Sequence, residues 1–350
     1  MRGTSVLVVA LACASCSPPA GEQGTQAGPP AAATDTMSLP HPTNSGPATV
    51  DSEAIGPLAA LPPNELGRIP VLEYHLIGAE TSRWMVTPEQ FRADLELLWD
   101  RGYRPVSLRE LLDGSFQLPA GLSPVVITFD DASPGQFRYL ERGAELEIDP
   151  ASALGVWLEF ARTHPGWRNR AVFCVLSGAE AGRSFFGDRG IEGQKTEWRQ
   201  RKIAFLVEQG FELCNHTVWH GRLSGLDDAR VQEQIARLQL AVDSASPGYR
   251  IRSLALPLGV WPKNRALAQA GSWTDPRSGR RIDYQHDVVL LVAGGPTRSP
   301  YDPEFNPLAI TRLQAQGDDP RQTLDGLDRS GTRYVSDGDP HRVAGRGGDS

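Results

Sequence analysis

Pro124-Val-Val-Ile-Thr-Phe-Asp-Asp131 is the stretch on which the fold turns. Its apolar, β-branched part has the length of a buried strand, and it ends abruptly in two carboxylates. Outward from it, between Gly67 and Gln316, apolar runs of strand length alternate with helical patterns, which predicts a parallel α/β sheet or barrel. Strands are expected at Ile69 to His75, Val125 to Phe129, Ala171 to Leu176, Phe211 to Asn215, Ser253 to Leu256, Asp287 to Val292 and Leu308 to Leu313, about seven in all. The best-marked helix has Thr87 as N-cap, Pro88 in its first turn, Gln90 placed to complete a capping box, and Phe91, Leu95 and Leu98 on one face. Two more are expected at Thr196 to Glu208 and Asp227 to Val242, and a further one over the barrel around Val156, Trp157, Phe160 and Trp167. In such a domain the working face lies at the C-terminal ends of the strands.

The remainder of the 350 residues frames this domain. Thirty-five basic and forty-two acidic residues give a net charge of −7, which offers nucleic-acid phosphates no attractive field. Four cysteines, two of them within the first sixteen residues, exclude a disulfide scaffold and an all-cysteine zinc site, so a metal here needs histidine and carboxylate. Residues 1–16 read as an export signal of the bacterial lipoprotein type, with small residues before Cys16, the expected lipidation site; Cys13 and an ordinary Ala-x-Ala cleavage are the alternatives. Residues 17–66, without an aromatic side chain and with ten prolines, read as a disordered tether. Residues 317–350, polar and rich in glycine, read as a disordered tail. An exported, membrane-anchored monomer is the expectation.

Chemistry-bearing residues fall where the strands run out. Asp130 and Asp131 close one strand, His216 and His220 follow another, and Glu73 and His75 close the first. Two imidazoles and one carboxylate are a common ligand set for a catalytic divalent cation, so His216, His220 and Asp131 are assigned as ligands, the second imidazole returning to the same side if the chain turns helically. Adjacent aspartates in a strand point oppositely, yet a backbone turn at the strand end lets both face one cavity. Asp-Asp after a strand is equally a common helix N-cap; the conjunction with the histidine pair argues for a site.

At these residues the sequence resembles the polysaccharide deacetylases, the family four carbohydrate esterases with a NodB homology domain. Thr-Phe-Asp-Asp at Thr128 to Asp131 resembles the first motif, which implies a general base at Asp130 and a metal ligand at Asp131; Asn-His-Thr-Val-Trp-His at Asn215 to His220 resembles the second, which implies ligands at His216 and His220 and a loop-fixing hydroxyl at Thr217. The resemblance covers nearly all of 67–316, with the distorted (β/α) barrel it implies. It departs at the third motif, where Ala255 takes the arginine position, so no arginine is expected to clamp the base, and Leu258 takes the tyrosine position, leaving its backbone N–H as the oxyanion candidate. The usual Leu-x-His of the last motif is absent from Leu308 to Leu313. These departures resemble the exopolysaccharide and poly-N-acetylglucosamine deacetylase branch, which implies His75 as the substitute acid, a core histidine being the equal alternative.

Arg312 is grouped with the substrate-binding candidates as a possible orienter of a carboxylate, although a plain surface arginine fits its position better. Trp219 and Trp261 could stack on a sugar or simply pack, and Tyr74, Cys174 and Cys214 receive no role. The expected activity is zinc-dependent removal of acetyl groups from N-acetylglucosamine polymer, the acetylated polysaccharide being the partner. Its rivals are an O-acetyl ester hydrolase and a carbohydrate-binding relic.

Overall fold

The computed structural model describes residues 61–179, 183–187, 190–316 and 319–345. Cys13, Cys16 and all but the last six residues of the expected tether lie outside them. Eight parallel strands form one curled sheet: β1 (Val71–Tyr74), β2 (Tyr103–Pro105), β3 (Ser123–Asp130), β4 (Val172–Val175), β5 (Glu212–Asn215), β6 (Ser253–Ala255), β7 (Val288–Leu290) and β8 (Leu313–Gln314). The order along the path is β7-β6-β5-β4-β3-β1-β8, with β2 beside β3. Ile310 bridges to Leu290 while Leu313 pairs with Leu72, so one segment touches both edges and curls the sheet into the expected distorted barrel. Six of the seven expected strands form; of the expected Leu308 to Leu313 only Leu313 is in strand, Pro307–Ala309 being a tight 3-10 turn, and β2 and the hairpins Tyr139–Arg142/Glu145–Ile148 and Ala270–Thr274/Arg281–Gln285 carry no mark that the sequence pattern shows.

Period-two alternation sorts the side chains. Val71, Val126, Cys174, Cys214, Ala255, Leu290 and Ile310 share one apolar cluster on the inner side, whereas Leu72, Tyr74, Ile127, Phe129, Phe173 and Leu213 pack outward against helices. Glu73, Thr128, Asp130 and Arg312 continue the inner rows toward the C-terminal end, where a polar cluster replaces the apolar filling. Tyr74, one step out of phase, points away from the site and donates to Asp94 Oδ2 at 2.8 Å. Cys174 and Cys214 stand side by side in register as free, buried thiols beneath it.

The helices are α1 (Pro88–Asp100), α2 (Leu108–Asp113), α3 (Ala153–Thr163), α4 (Arg199–Glu208), α5 (Asp228–Ala245) and α6 (Asp319–Ser330). Thr87 Oγ1 accepts from Gln90 N at 3.1 Å as the sequence predicts, but the Gln90 side chain donates onward to Asp94 rather than back to the cap. The full capping box is at Ser107 and Glu110 of α2, which the sequence reading passed over. Trp157 and Phe160 of α3 are buried in the core cluster that α1 shares, so this helix is part of the core.

The expected tail is folded from Asp319 to Gly345, and the end of the expected tether is bound to it. Leu324, Leu327, Tyr334 and Val335 are buried, Asn64 N donates to Val335 O at 2.8 Å, and Ser123 Oγ donates to Tyr334 O at 2.5 Å. Composition hid this because few apolar residues suffice when each meets a prepared surface. Removing residues 317–350 is expected to cost on the order of 5 kcal/mol or more from lost apolar burial alone. Thermal melting followed by circular dichroism checks it, and an unchanged Tm would contradict the packing.

Candidate active site

The site is built at the C-terminal ends of β3 and β5. Strand β3 ends at Asp130, and Asp131 turns left-handed at φ 76°, which brings its carboxylate to the side that Asp130 faces. Beyond β5, Asn215 Oδ1 accepts from Thr217 N at 2.9 Å and Thr217 Oγ1 accepts from His220 N at 3.1 Å. Thr217 thus fixes the loop as the motif implies. The histidine pair is brought together by left-handed residues at Thr217 (φ 70°) and His220 (φ 55°), not by the helical turn that the spacing suggested. Five of the eight described non-glycine residues with positive φ are Asp131, Ala132, Thr217, His220 and Leu258. Each such conformation costs about 1–3 kcal/mol, so strain is concentrated where three loops meet.

The three assigned ligands converge. His216 Nε2 and His220 Nε2 each lie 3.5 Å from Asp131 Oδ1, and the two rings are 4.8 Å apart. His216 Nδ1 donates to Ala255 O at 2.9 Å, which turns its Nε2 lone pair into the site. Burial, with the neighbouring His216 second, lowers His220 to about 4, leaving the neutral imidazole that a cation requires. Asp131 Oδ1 is buried without a hydrogen-bond partner. An orphaned carboxylate oxygen facing two imidazole nitrogens fits a divalent cation, and such an ion would supply a Lewis acid for an acetyl carbonyl.

Asp130 is set apart by Arg312, contrary to the expectation that nothing clamps the base. The guanidinium meets it as a fork, Nη1 to Oδ1 and Nη2 to Oδ2 both at 2.8 Å, while Nη1 also donates to Thr128 Oγ1 at 3.1 Å and Nε to Leu291 O at 2.7 Å. Arg312 is 1% exposed, so it is neither a surface residue nor placed to touch substrate. Its role is to hold a carboxylate, supplied from the last strand instead of the third motif. Burial alone would raise the Asp130 carboxyl; Arg312, followed by His216, reverses this and holds it well below the ordinary range. Gln136 Nε2 donates to Asp130 O and His75 O, tying these two strand ends together.

The other candidates divide. His75 lies at the rim with Nε2 3.5 Å from Glu73 Oε1 and its ring edge-on to Trp84. Burial lowers it, so the imidazole rests neutral. Leu258 is 53% exposed and left-handed at φ 58° in the turn that follows β6. Trp219 is 45% exposed beside the ligand loop under the Arg237 guanidinium, whereas Trp261 packs against the cluster around Leu254 and Ile282. Two neighbours were not foreseen from sequence: Arg183, with Nη1 3.4 Å from Asp131 Oδ2, and Trp84, 39% exposed beside His75.

Comparison with known proteins bears on the domain that carries this site. A family model described as polysaccharide deacetylase matches residues 169–272, which take in the histidine loop and the Leu258 turn but stop short of Asp130 and Asp131. The chain is similar to the chitooligosaccharide deacetylase of Sinorhizobium fredii, 30% identical over 128 residues, 34% of this chain and 58% of that one. A chitooligosaccharide deacetylase of a Bradyrhizobium species is 31% identical over 98 residues, 26% of this chain and 45% of its own. The chain therefore spans about half the length of these relatives. In fold it is similar to BC0361, a polysaccharide deacetylase from Bacillus cereus, at TM-score 0.51 and 16% identity over 74% of this chain and 69% of that one. The Streptococcus pyogenes deacetylase PplD gives TM-score 0.50 and 18% identity over 74% of this chain and 97% of its own.

Proposed function

We propose that this chain, which carries a polysaccharide deacetylase domain, hydrolyses acetyl groups from a polysaccharide, in the first place N-acetyl groups of an N-acetylglucosamine-containing polymer. The observation that carries the reading is the pairing of two unlike carboxylates. Asp131 presents an unpartnered oxygen to two imidazoles, and one residue away Asp130 is kept ionised by a two-pronged arginine. The first set suits a divalent cation, for which we favour zinc. The second suits a general base that takes a proton from the attacking water.

The remaining steps fall to this chain's own groups. As water adds to the acetyl carbon, negative charge develops on the carbonyl oxygen, and the Leu258 N–H is the backbone donor at the rim suited to meet it. Collapse of the tetrahedral intermediate breaks the carbon–nitrogen bond, and the departing nitrogen needs a proton. His75 is the imidazole at the rim that the ligand set does not use. Trp219 offers an apolar face for a sugar ring. The sequence before residue 61 supports export and attachment through Cys16, which would hold the domain near envelope polymer.

Metal analysis joined to an acetate-release assay tests the reading. One divalent ion per chain and acetate from chitooligosaccharide are expected; acetate from acetylated xylan alone would replace the amide with an ester substrate, and no acetate from either would leave only a carbohydrate binder. For His75→Gln the expected loss of kcat is about tenfold greater on amide than on ester, since a poor nitrogen leaving group depends on an acid more than oxygen does. Equal losses would remove His75 from that role.

A further inference from the structure

We infer that Trp84 is the platform for the sugar that loses its acetyl group and that Trp219 carries the next sugar along, so that the substrate is an oligomer and not a single residue; this rests on the deacetylase reading above. Of the eight tryptophans only these two are exposed, Trp84 by 39% and Trp219 by 45%. Six large apolar side chains are exposed among the described residues, and three of them, Trp84, Trp219 and Leu258, lie in the segments that follow β1, β5 and β6 at the end of the sheet where the site is built. An exposed indole forgoes the burial that makes tryptophan stabilising, and a grouping of such residues on one face marks a binding surface.

Both indoles are held in advance. Trp84 O accepts from Leu76 N at 2.9 Å, its ring stands edge-on to His75 with centres 4.9 Å apart, and the Arg83 guanidinium lies 4.9 Å from the ring centre. Trp219 N donates to Gln234 Oε1 at 3.2 Å, and Arg237, itself bonded to Glu233 at 2.9 Å, lies 4.7 Å from the second ring centre. Gly178 makes room for that indole, since a Cβ there would come within 2.7 Å of Trp219 Nε1. A ring already fixed in place loses little freedom when a pyranose stacks on it.

Position assigns the two rings to different sugars. Trp84 packs on His75, the imidazole proposed to meet the leaving nitrogen, and that nitrogen is bonded directly to the ring of the reacting sugar. The reacting ring therefore lies within reach of Trp84. Trp219 adjoins His220, on the far side of the ligand set. Strands β1 and β5 stand three intervals apart in the sheet, about 14 Å, which a single pyranose does not span. The sugar over Trp219 is then a neighbour in the same polymer.

The test measures acetate release from chitooligosaccharides of increasing length, with kcat and KM separated and bound metal measured beside them, for the parent, Trp84→Ala, Trp84→Phe and Trp219→Ala. Parental kcat/KM is expected to rise about tenfold once a second sugar is present. Trp84→Ala should raise KM about tenfold at every length while kcat and bound metal stay at the parent level, and Trp84→Phe should recover part of the loss. Trp219→Ala should bring the longer substrates down toward the single sugar. A Trp84→Ala chain with parental KM, or with its loss confined to kcat, would reduce Trp84 to a support for His75; a Trp219→Ala chain that keeps the parental dependence on length would overturn the second assignment. A parent that deacetylates every length equally well would overturn this inference and leave the deacetylase reading standing, whereas a parent that releases no acetate at any length would overturn that reading and this inference with it.

Discussion

Arg312→Leu is expected to destabilise the fold by about 3–5 kcal/mol and to bring turnover near background. The side chain is fully buried and spends its polar atoms on four partners from three strands: Asp130 and Thr128 of β3, Glu73 of β1, and the Leu291 carbonyl just past β7. Removing it strands Asp130 as a buried charge with no countercharge of comparable geometry. The cost is that of the orphaned carboxylate rather than the worth of the pair, because a well-paired buried ion pair contributes little net stability. Arg312→Lys separates the two consequences. It keeps the charge but loses the fork, so it should recover much of the stability while kcat stays depressed, since a single ammonium cannot fix both Asp130 oxygens. Urea denaturation and acetate release measure the two. An Arg312→Leu chain as stable as the parent would mean that Asp130 sits in a wetter place than the fold implies.

That clamp also shows what the sequence could and could not disclose. The apolar runs mark the strands because a barrel strand is buried on both faces, and the carboxylates and imidazoles at their ends mark the site because only there does a strand residue face a cavity. Asp131, His216 and His220 were therefore readable from position. Arg312 was not, since it reaches Asp130 across 182 residues of chain and its phase in a short, irregular last strand decides whether it faces in or out. Glu73 was visible as a strand-end residue, but its meaning depends on Arg312. The left-handed turns at Thr217 and His220 carry no compositional mark, as neither is glycine. The folded segment after Asp319 was missed for the opposite reason: Leu324, Leu327, Tyr334 and Val335 are too sparse to suggest a core, and they bury themselves in a surface made by residues far earlier in the chain.

The second large effect separates the two aspartates from each other and from the histidines. Asp130→Asn is expected to lower kcat by about 10²–10⁴-fold while bound metal stays at the parent level. The amide oxygen still accepts from Arg312, the amide cannot take a proton from water, and Glu73, 3.0 Å from Arg312 Nη2, is at hand as the countercharge once Asp130 is neutral, so the fold should survive. His216→Ala is expected to lose metal and activity together. It removes one of two nitrogens facing Asp131 Oδ1, and with it the bond to Ala255 O that orients the ring. Measuring metal per chain beside kcat for both variants makes the roles separable, since a residue that merely stabilised the loop would change neither quantity independently of folding. A His216→Ala chain retaining its full metal content would move the cation elsewhere. An Asp130→Asn chain that kept parental turnover would show that water loses its proton to some other group, and the arginine fork would then need a different explanation.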